Sequence, residues 1–211
     1  MPDAPSIAVA ISVYPAYLKY VMDAIASVEA QTLPPAEKWL LCDRCFPPAD
    51  MPAGWKRLAG EWHEAAAGRR ELTGATACEW CAMLDADDAY LPGFLAHMAA
   101  AADAAGPRVG ILYPDLANCD INLQHPDLMP MRPWDAGELQ RRNFVPTHSL
   151  WRTAMLREIG GWRSAWRMDD ALTAQACAAV GWSGQWCPGC AIQVRSHPEQ
   201  RVNTRMMPSD A

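Results

Sequence analysis

Nowhere in these 211 residues does an apolar stretch approach the roughly 18 residues that a membrane-spanning helix needs, so no integral membrane contact is expected. A surplus of positive charge is missing too. The 18 Lys and Arg stand against 24 Asp and Glu, a formal net charge of -6, which argues against a generic polyanion-binding surface but leaves room for a local basic groove. The opening Met1-Pro2-Asp3-Ala4-Pro5 has no basic region of the kind that begins a secretion signal. The turn from Ser12 to Tyr17 has no glycine, so it holds no glycine-rich phosphate loop. There is no internal repeat and no linker long enough to separate domains. What remains is a chain 51% hydrophobic, read as one cytoplasmic domain able to bury its own core.

Cysteine, by contrast, is present eight times, with three pairs at CxxC spacing: Cys42/Cys45, Cys78/Cys81 and Cys187/Cys190. Two converging pairs could hold zinc. However, Cys78 and Cys81 fall in what reads as a strand, where positions three apart face opposite sides. The Cys187-Pro188-Gly189-Cys190 run is not followed by a strand-then-helix pattern of the redox type. Reduced cysteines acting as small core residues are the expectation.

Apolar periodicity organises the chain. Ile7 to Val13 is a β-branched run that reads as a buried strand, and Leu18, Val21, Met22, Ile25 and Val28 recur at helical spacing over Tyr17 to Gln31. Lys38 to Cys42 reads as a second strand, parallel to the first across a right-handed crossover. A helix is expected within Trp55 to Thr76, a third strand over Trp80 to Leu84, a helix over Leu91 to Ala105 and a fourth strand over Val109 to Tyr113. Asn118 to Asn143 is polar, proline-punctuated and poorly periodic, the pattern of a functional loop region. Two short helices, Thr153 to Ile159 and Asp170 to Val180, precede a last strand over Ala191 to Arg195, and the tail from Pro198 onward reads as loosely ordered.

The third strand ends in carboxylates: Leu84 is followed by Asp85-Ala86-Asp87-Asp88. Ionised neighbours repel one another, so such a cluster calls for a cation or a protonated member. Oxygen ligands at close spacing suit Mg²⁺ or Mn²⁺ bridging to phosphates. A solvated Asp-rich turn is the plain alternative. Asp43 also closes a strand, and ligands of open α/β sheets bind beyond the carboxyl ends of the strands.

From about Ile7 to His197 the chain resembles a family 2 glycosyltransferase. The likeness rests on Ser27-Val28-Glu29-Ala30-Gln31-Thr32-Leu33-Pro34, on Leu40-Leu41-Cys42-Asp43, on Leu84-Asp85-Ala86-Asp87-Asp88 with Leu91-Pro92, and on Gly160-Gly161-Trp162 with Met168-Asp169-Asp170. Cys42 departs from the family pattern, which has an acid there. The resemblance implies a GT-A-like, Rossmann-like α/β fold: a mostly parallel sheet flanked by helices, with an irregular acceptor-side second half. It implies a nucleotide-sugar-binding half over about 6–115 and an acceptor half over about 116–197.

By the same resemblance the activity is metal-dependent, inverting transfer of a sugar, hexosyl in type, from a nucleoside-diphosphate sugar to an acceptor hydroxyl. The donor implied is a UDP-sugar and the metal Mn²⁺ or Mg²⁺. Asp170 falls on the catalytic base position and Asp169 on the preceding acid. Asp43 falls on a base or ribose contact, Arg70 or Arg69 on a donor-positioning Arg, Asp85 near the ribose or the metal, and Asp87 and His197 on the metal. Asp88 is placed behind the ligands. On the acceptor side, Trp134, His148, Trp151 and Trp166 are candidate wall residues for a glycan, protein or modified-nucleobase acceptor. The competing readings are a sugar nucleotidyltransferase, disfavoured by the missing glycine loop, and a non-catalytic nucleotide- or sugar-binding module of the same fold.

Overall fold

The computed structural model describes residues 5–164 and 168–198. Strand β1 (Ile7–Val13) leads through a 3-10 turn at Pro15–Tyr17 into α1 (Val21–Glu29). The Pro15 ring starts that turn, so the regular helix begins later than the apolar spacing from Tyr17 suggests. Strand β2 (Glu37–Asp43) follows, then β3 (Trp55–Gly60) and α2 (Ala65–Ala75). Next come β4 (Trp80–Asp85), the two-residue β5 (Ala89–Tyr90) and α3 (Phe94–Ala104). The second half holds β6 (Val109–Cys119), β7 (Asp127–Met129), α4 (Ala136–Leu139), β8 (Leu150–Arg152), α5 (Thr153–Glu158), α6 (Asp169–Ala179) and β9 (Ser183–Arg195).

The strands form one sheet in the order β3-β2-β1-β4-β8-β6-β9-β5, with β7 paired to β6. Neighbours from β3 through β4 are parallel, as are β6 and β9, while β8 runs against both β4 and β6 and β5 runs against β9. Strands from both halves of the chain therefore share one sheet. Residues of β1 alternate between its faces: Ile7, Val9, Ile11 and Val13 pack with α1 and α3, whereas Ala8 and Ala10 pack with the side of α2, α5 and α6. Burial on both faces explains why β1, β2 and β4 read as continuous apolar runs.

Three expectations change. The segment from Trp55 to Thr76 is not one helix but an edge strand followed by α2. Half-exposed β3 (Trp-Lys-Arg-Leu-Ala-Gly) lacks the apolar run of its neighbours. The fourth strand runs well past Tyr113, because the register breaks between Pro114 and Asp115 and absorbs a proline that would otherwise end it. The last strand is thirteen residues long, not five, since Cys187-Pro188-Gly189-Cys190 forms the other side of that break. All eight cysteines are free thiols, and burial pushes Cys42, Cys81 and Cys177 up to about 12, which leaves them unreactive packing residues. No helix among the described residues is long and apolar enough to cross a membrane.

Candidate active site

The carboxyl ends of β1, β2 and β4 lie side by side, with Ser12 opposite both Leu41 and Asp85 in register. Asp43, at the end of β2, is buried. Its Oδ1 accepts the backbone N–H groups of Trp62 (2.8 Å) and His63 (3.1 Å), while its buried Oδ2 has no partner among the described residues. Oδ2 and the equally unpartnered Ser12 Oγ belong to residues that line a cavity of about 10 Å³, together with Tyr14, Trp62 and Glu64. That is room for about one water. Trp62 forms its wall because Gly60 and Gly68 make a slot for the indole: a Cβ at either would meet the ring at 2.4 or 2.6 Å.

At the end of β4 the chain turns. The Asp88 N–H donates to the Asp85 carbonyl (3.1 Å), closing a four-residue turn. First and last members of such a turn converge, so Asp88 rather than Asp87 comes to Asp85. His148, in the loop leading into β8, completes the group. One ligand atom from each of Asp85, Asp88 and His148 lies within 4.8 Å of the others, and no cysteine belongs to such a group among the described residues. His148 Nε2 sits 2.7 Å from Asp88 Oδ2 and 3.9 Å from Asp85 Oδ2. The first contact is an ion pair, and among the described residues Nε2 has no other acceptor within hydrogen-bonding distance. Burial works to lower the His148 pKa, but Asp88 and then the charges of Asp85 and Asp87 overcome it and lift it to about 9.

Asp87 points elsewhere. Its Oδ2 meets His197 Nε2 at 2.9 Å, in a pocket where the imidazole packs against Tyr17 and Tyr20. Burial, then the charges of Asp88 and Asp85, push Asp87 up to about 7, opposed by the bond to His197. Arg195 holds this region from behind. Its N–H donates to Asp88 Oδ1 (2.9 Å), its Nε to the Asp87 carbonyl (2.7 Å) and its Nη2 to Asp23 on α1 (2.7 Å).

The second acid pair opens α6. Arg69, fully buried on α2, donates to Asp169 Oδ2 (2.6 Å) and to Asp85 Oδ1 (2.7 Å), and its guanidinium lies over the Trp162 ring. Burial disfavours its charge, yet Asp169 and then Asp85 hold it firmly protonated. Asp170 beside it uses neutral donors. Oδ2 accepts from Asn143 Nδ2 (3.2 Å) and Thr147 Oγ1 (3.3 Å), and Oδ1 from the Ala171 N–H (2.7 Å). Burial, then the Asp169 charge, raise Asp170 to about 6.

The structure thus gathers Asp85, Asp88, His148, Arg69, Asp169 and Asp170 at the carboxyl edge of the sheet. Arg70 is not among them; it is exposed and donates to the Trp162 carbonyl (2.8 Å). Asp87 and His197 pair with each other rather than with Asp85. His148 joins the acids instead of an acceptor wall. Trp151 is wholly buried against Trp162, its Nε1 bonded to the Thr147 carbonyl, so it is core. Trp134 packs on Phe144 and over Gly184, again as packing. Trp166 lies outside the described residues.

The fold has solved counterparts. Over 92% of this chain it is similar to S. aureus TarS 1-349 in complex with UDP-GlcNAc, with a TM-score of 0.71 at 14% identity. The same protein in complex with UDP gives a TM-score of 0.67 at 15% identity. The chain has a GT-A-like fold. It spans 60% of TarS 1-349 and 37% of a longer TarS chain. No protein-family model matches the sequence, and no curated protein does.

Proposed function

We propose that this chain is a family 2 glycosyltransferase that moves a hexosyl unit, with inversion, from a UDP-sugar to an acceptor hydroxyl. The supporting likeness is to a fold seen with UDP-GlcNAc and with UDP, both bound to TarS. The observation that carries the proposal is the placement of Asp170: a carboxylate titrating near 6, coupled through Asp169 and Arg69 to the acid turn 85–88.

Asp170 is the base. At neutral pH it is ionised, yet more basic than an ordinary Asp, which suits it to take the proton of an attacking hydroxyl. The hydroxyl oxygen bonds to the anomeric carbon as the bond from that carbon to the diphosphate oxygen breaks. Arg69 holds Asp169 and Asp85 in fixed relation, so the base and the acid turn keep their spacing. Asp43, at the end of β2 with an Oδ2 that lacks a donor among the described residues, is the carboxylate suited to accept an N–H from the base of the nucleotide. The donor set at the acid turn, two carboxylates and an imidazole, fits a divalent cation such as Mn²⁺ or Mg²⁺. When bound there, the cation would offset the charge growing on the departing diphosphate. Residues of about 6–115 would bind donor and those of about 116–197 would carry the base and receive the acceptor.

The test is release of UDP from UDP-GlcNAc with Mn²⁺ present, followed by the Asp170→Asn variant. The variant should still bind UDP-GlcNAc and fail to transfer. Transfer at the parental rate would remove Asp170 from the role. Pyrophosphate release from a nucleoside triphosphate would instead mark a nucleotidyltransferase, and binding without any release a non-catalytic module.

A further inference from the structure

Between the outer face of α6 and the turn that follows α5 runs a groove of about 670 Å³. That volume is in the range of small-molecule sites. We propose that it is a second ligand site, outside the catalytic cleft, for a small organic phosphate: the phosphate on Arg70 and Arg163, the apolar body on α6.

The helix sets the groove apart from the base. Leu172, Ala176, Ala179 and Val180 line it, while Ala171, Ala174 and Cys177 are buried on the other face of α6. At about 100° per residue, Leu172 lies about 200° round the helix from Asp170. The floor therefore starts behind the base and runs away from it, to the far end of α6. None of the carboxylates gathered at the carboxyl edge of the sheet lines it among the described residues.

The floor is apolar, and the charge along the wall has one sign. Arg70 and Arg163 both line the groove, and neither forms an ion pair among the described residues. Each is fastened to a main-chain carbonyl instead. Arg70 donates through Nε (3.2 Å) and Nη2 (2.8 Å) to the Trp162 carbonyl, and Arg163 through Nη2 to that of Ile159 (2.7 Å). Gly161 makes the first arrangement possible, since a Cβ there would meet Arg70 Cγ at 2.7 Å. Both guanidiniums are thus placed, and each keeps donors that no protein acceptor uses. Glu64, bonded to Ser164 Oγ, is an acid at the rim, and two cations against it leave the groove net positive. A guanidinium edge matches paired phosphate oxygens, and two guanidiniums match the roughly two negative charges of a phosphate monoester. Inorganic phosphate alone would leave the apolar floor uncovered, so the occupant that fits both parts is a phosphate ester with an apolar body.

The probe is phenyl phosphate, titrated into the purified chain. Affinity is read by calorimetry and place by the indole N–H resonance of Trp162, assigned by its loss in Trp162→Phe. That N–H is buried with no acceptor among the described residues, and Arg70 hangs on the carbonyl of the same residue, so a ligand drawing on Arg70 should move it. Phenyl phosphate should bind, with inorganic phosphate and phenol each about 10-fold weaker or more. Arg70→Ala and Arg163→Ala should each weaken it by about 10-fold or more. Ala179→Glu, at an exposed position near the end of α6, sets a like charge in the floor and should weaken it by a similar factor of about 10. Binding lost in Arg70→Ala but unchanged in Ala179→Glu would put the phosphate in the catalytic cleft and overturn the site. So would a parent that does not bind phenyl phosphate, or binding indifferent to both arginines. Should an arginine variant fail to fold, Ala179→Glu decides alone. Because no turnover is read, the outcome is independent of the transferase reading.

Discussion

The two acid pairs of the site, Asp85/Asp88 at the end of β4 and Asp169/Asp170 at the start of α6, use one residue type for different ends. The first faces an imidazole, and each of its members keeps one oxygen turned toward a shared point. The second is split. Asp169 is spent on Arg69, which leaves Asp170 to two neutral side chains and a backbone N–H. A carboxylate given a full counter-charge stays ionised but becomes a weak base; one given only neutral donors in a half-buried place stays basic. On the proposed reading, the difference teaches that the partner, not the acid, decides whether an Asp gathers a cation or receives a proton.

The comparison can be broken hardest at Asp170. Replacing it with Asn should lower kcat by about 10²–10⁴-fold with UDP-GlcNAc binding kept, measured by UDP release and by calorimetric titration. The same variant sharpens the contrast in stability. The folded pKa of Asp170 is raised above its ordinary value, so its favourable contribution is complete below about pH 4 and lost as pH rises through about 6. Asp170→Asn should therefore melt higher than the parent at pH 7.5 and show no such gain at pH 4.

Next in size is the tie between the pairs. Arg69→Met leaves Asp169 and Asp85 without their shared cation and should cost about 3 kcal/mol in urea unfolding, the low end for a broken buried ion pair because Asp85 is partly open to water. If the loss is under about 1 kcal/mol, the two pairs are not coupled through this guanidinium.

A smaller effect reads the neutral donors. kcat/KM should fall about tenfold per pH unit below about pH 6, where Asp170 takes up its proton. Thr147→Val or Asn143→Ala removes a bond that favours the ionised form, and should move that acid limb upward by about one unit. The smallest change is expected at Arg70. It is exposed and, among the described residues, bonds only a main-chain carbonyl, so Arg70→Ala should alter stability by about 1 kcal/mol or less and leave the pH profile unmoved.

Much of the sheet was legible in the sequence for one reason: β1, β2 and β4 are buried on both faces and so are written as unbroken apolar runs. Strands lacking that property escaped. β3 is a half-exposed edge, and β5 and β8 have two and three residues, too few for any period to register. Proline misled at β6 and β9, where a bulge accepts it. At the site, the acids were visible because a strand ending in Asp85 is poor packing material. Their grouping was not: the resemblance pairs Asp85 with Asp87, whereas the turn closed by the Asp88 N–H on the Asp85 carbonyl brings Asp88 beside Asp85 and leaves Asp87 against His197. His148 was singled out as an acceptor-side candidate; what sets it among the acids is its loop, which returns to the carboxyl edge beside β4 as β8 begins.

Arg69 has a consequence for anyone wishing to recombine this protein with its relatives. It stands in the first half of the chain and its strongest contact stands in the second, one hundred positions later. A hybrid that joins the first half of one protein to the second half of another would inherit a guanidinium chosen for one carboxylate and set against a stranger. Crossover points should therefore move α2 and the opening of α6 together, as a single inherited unit.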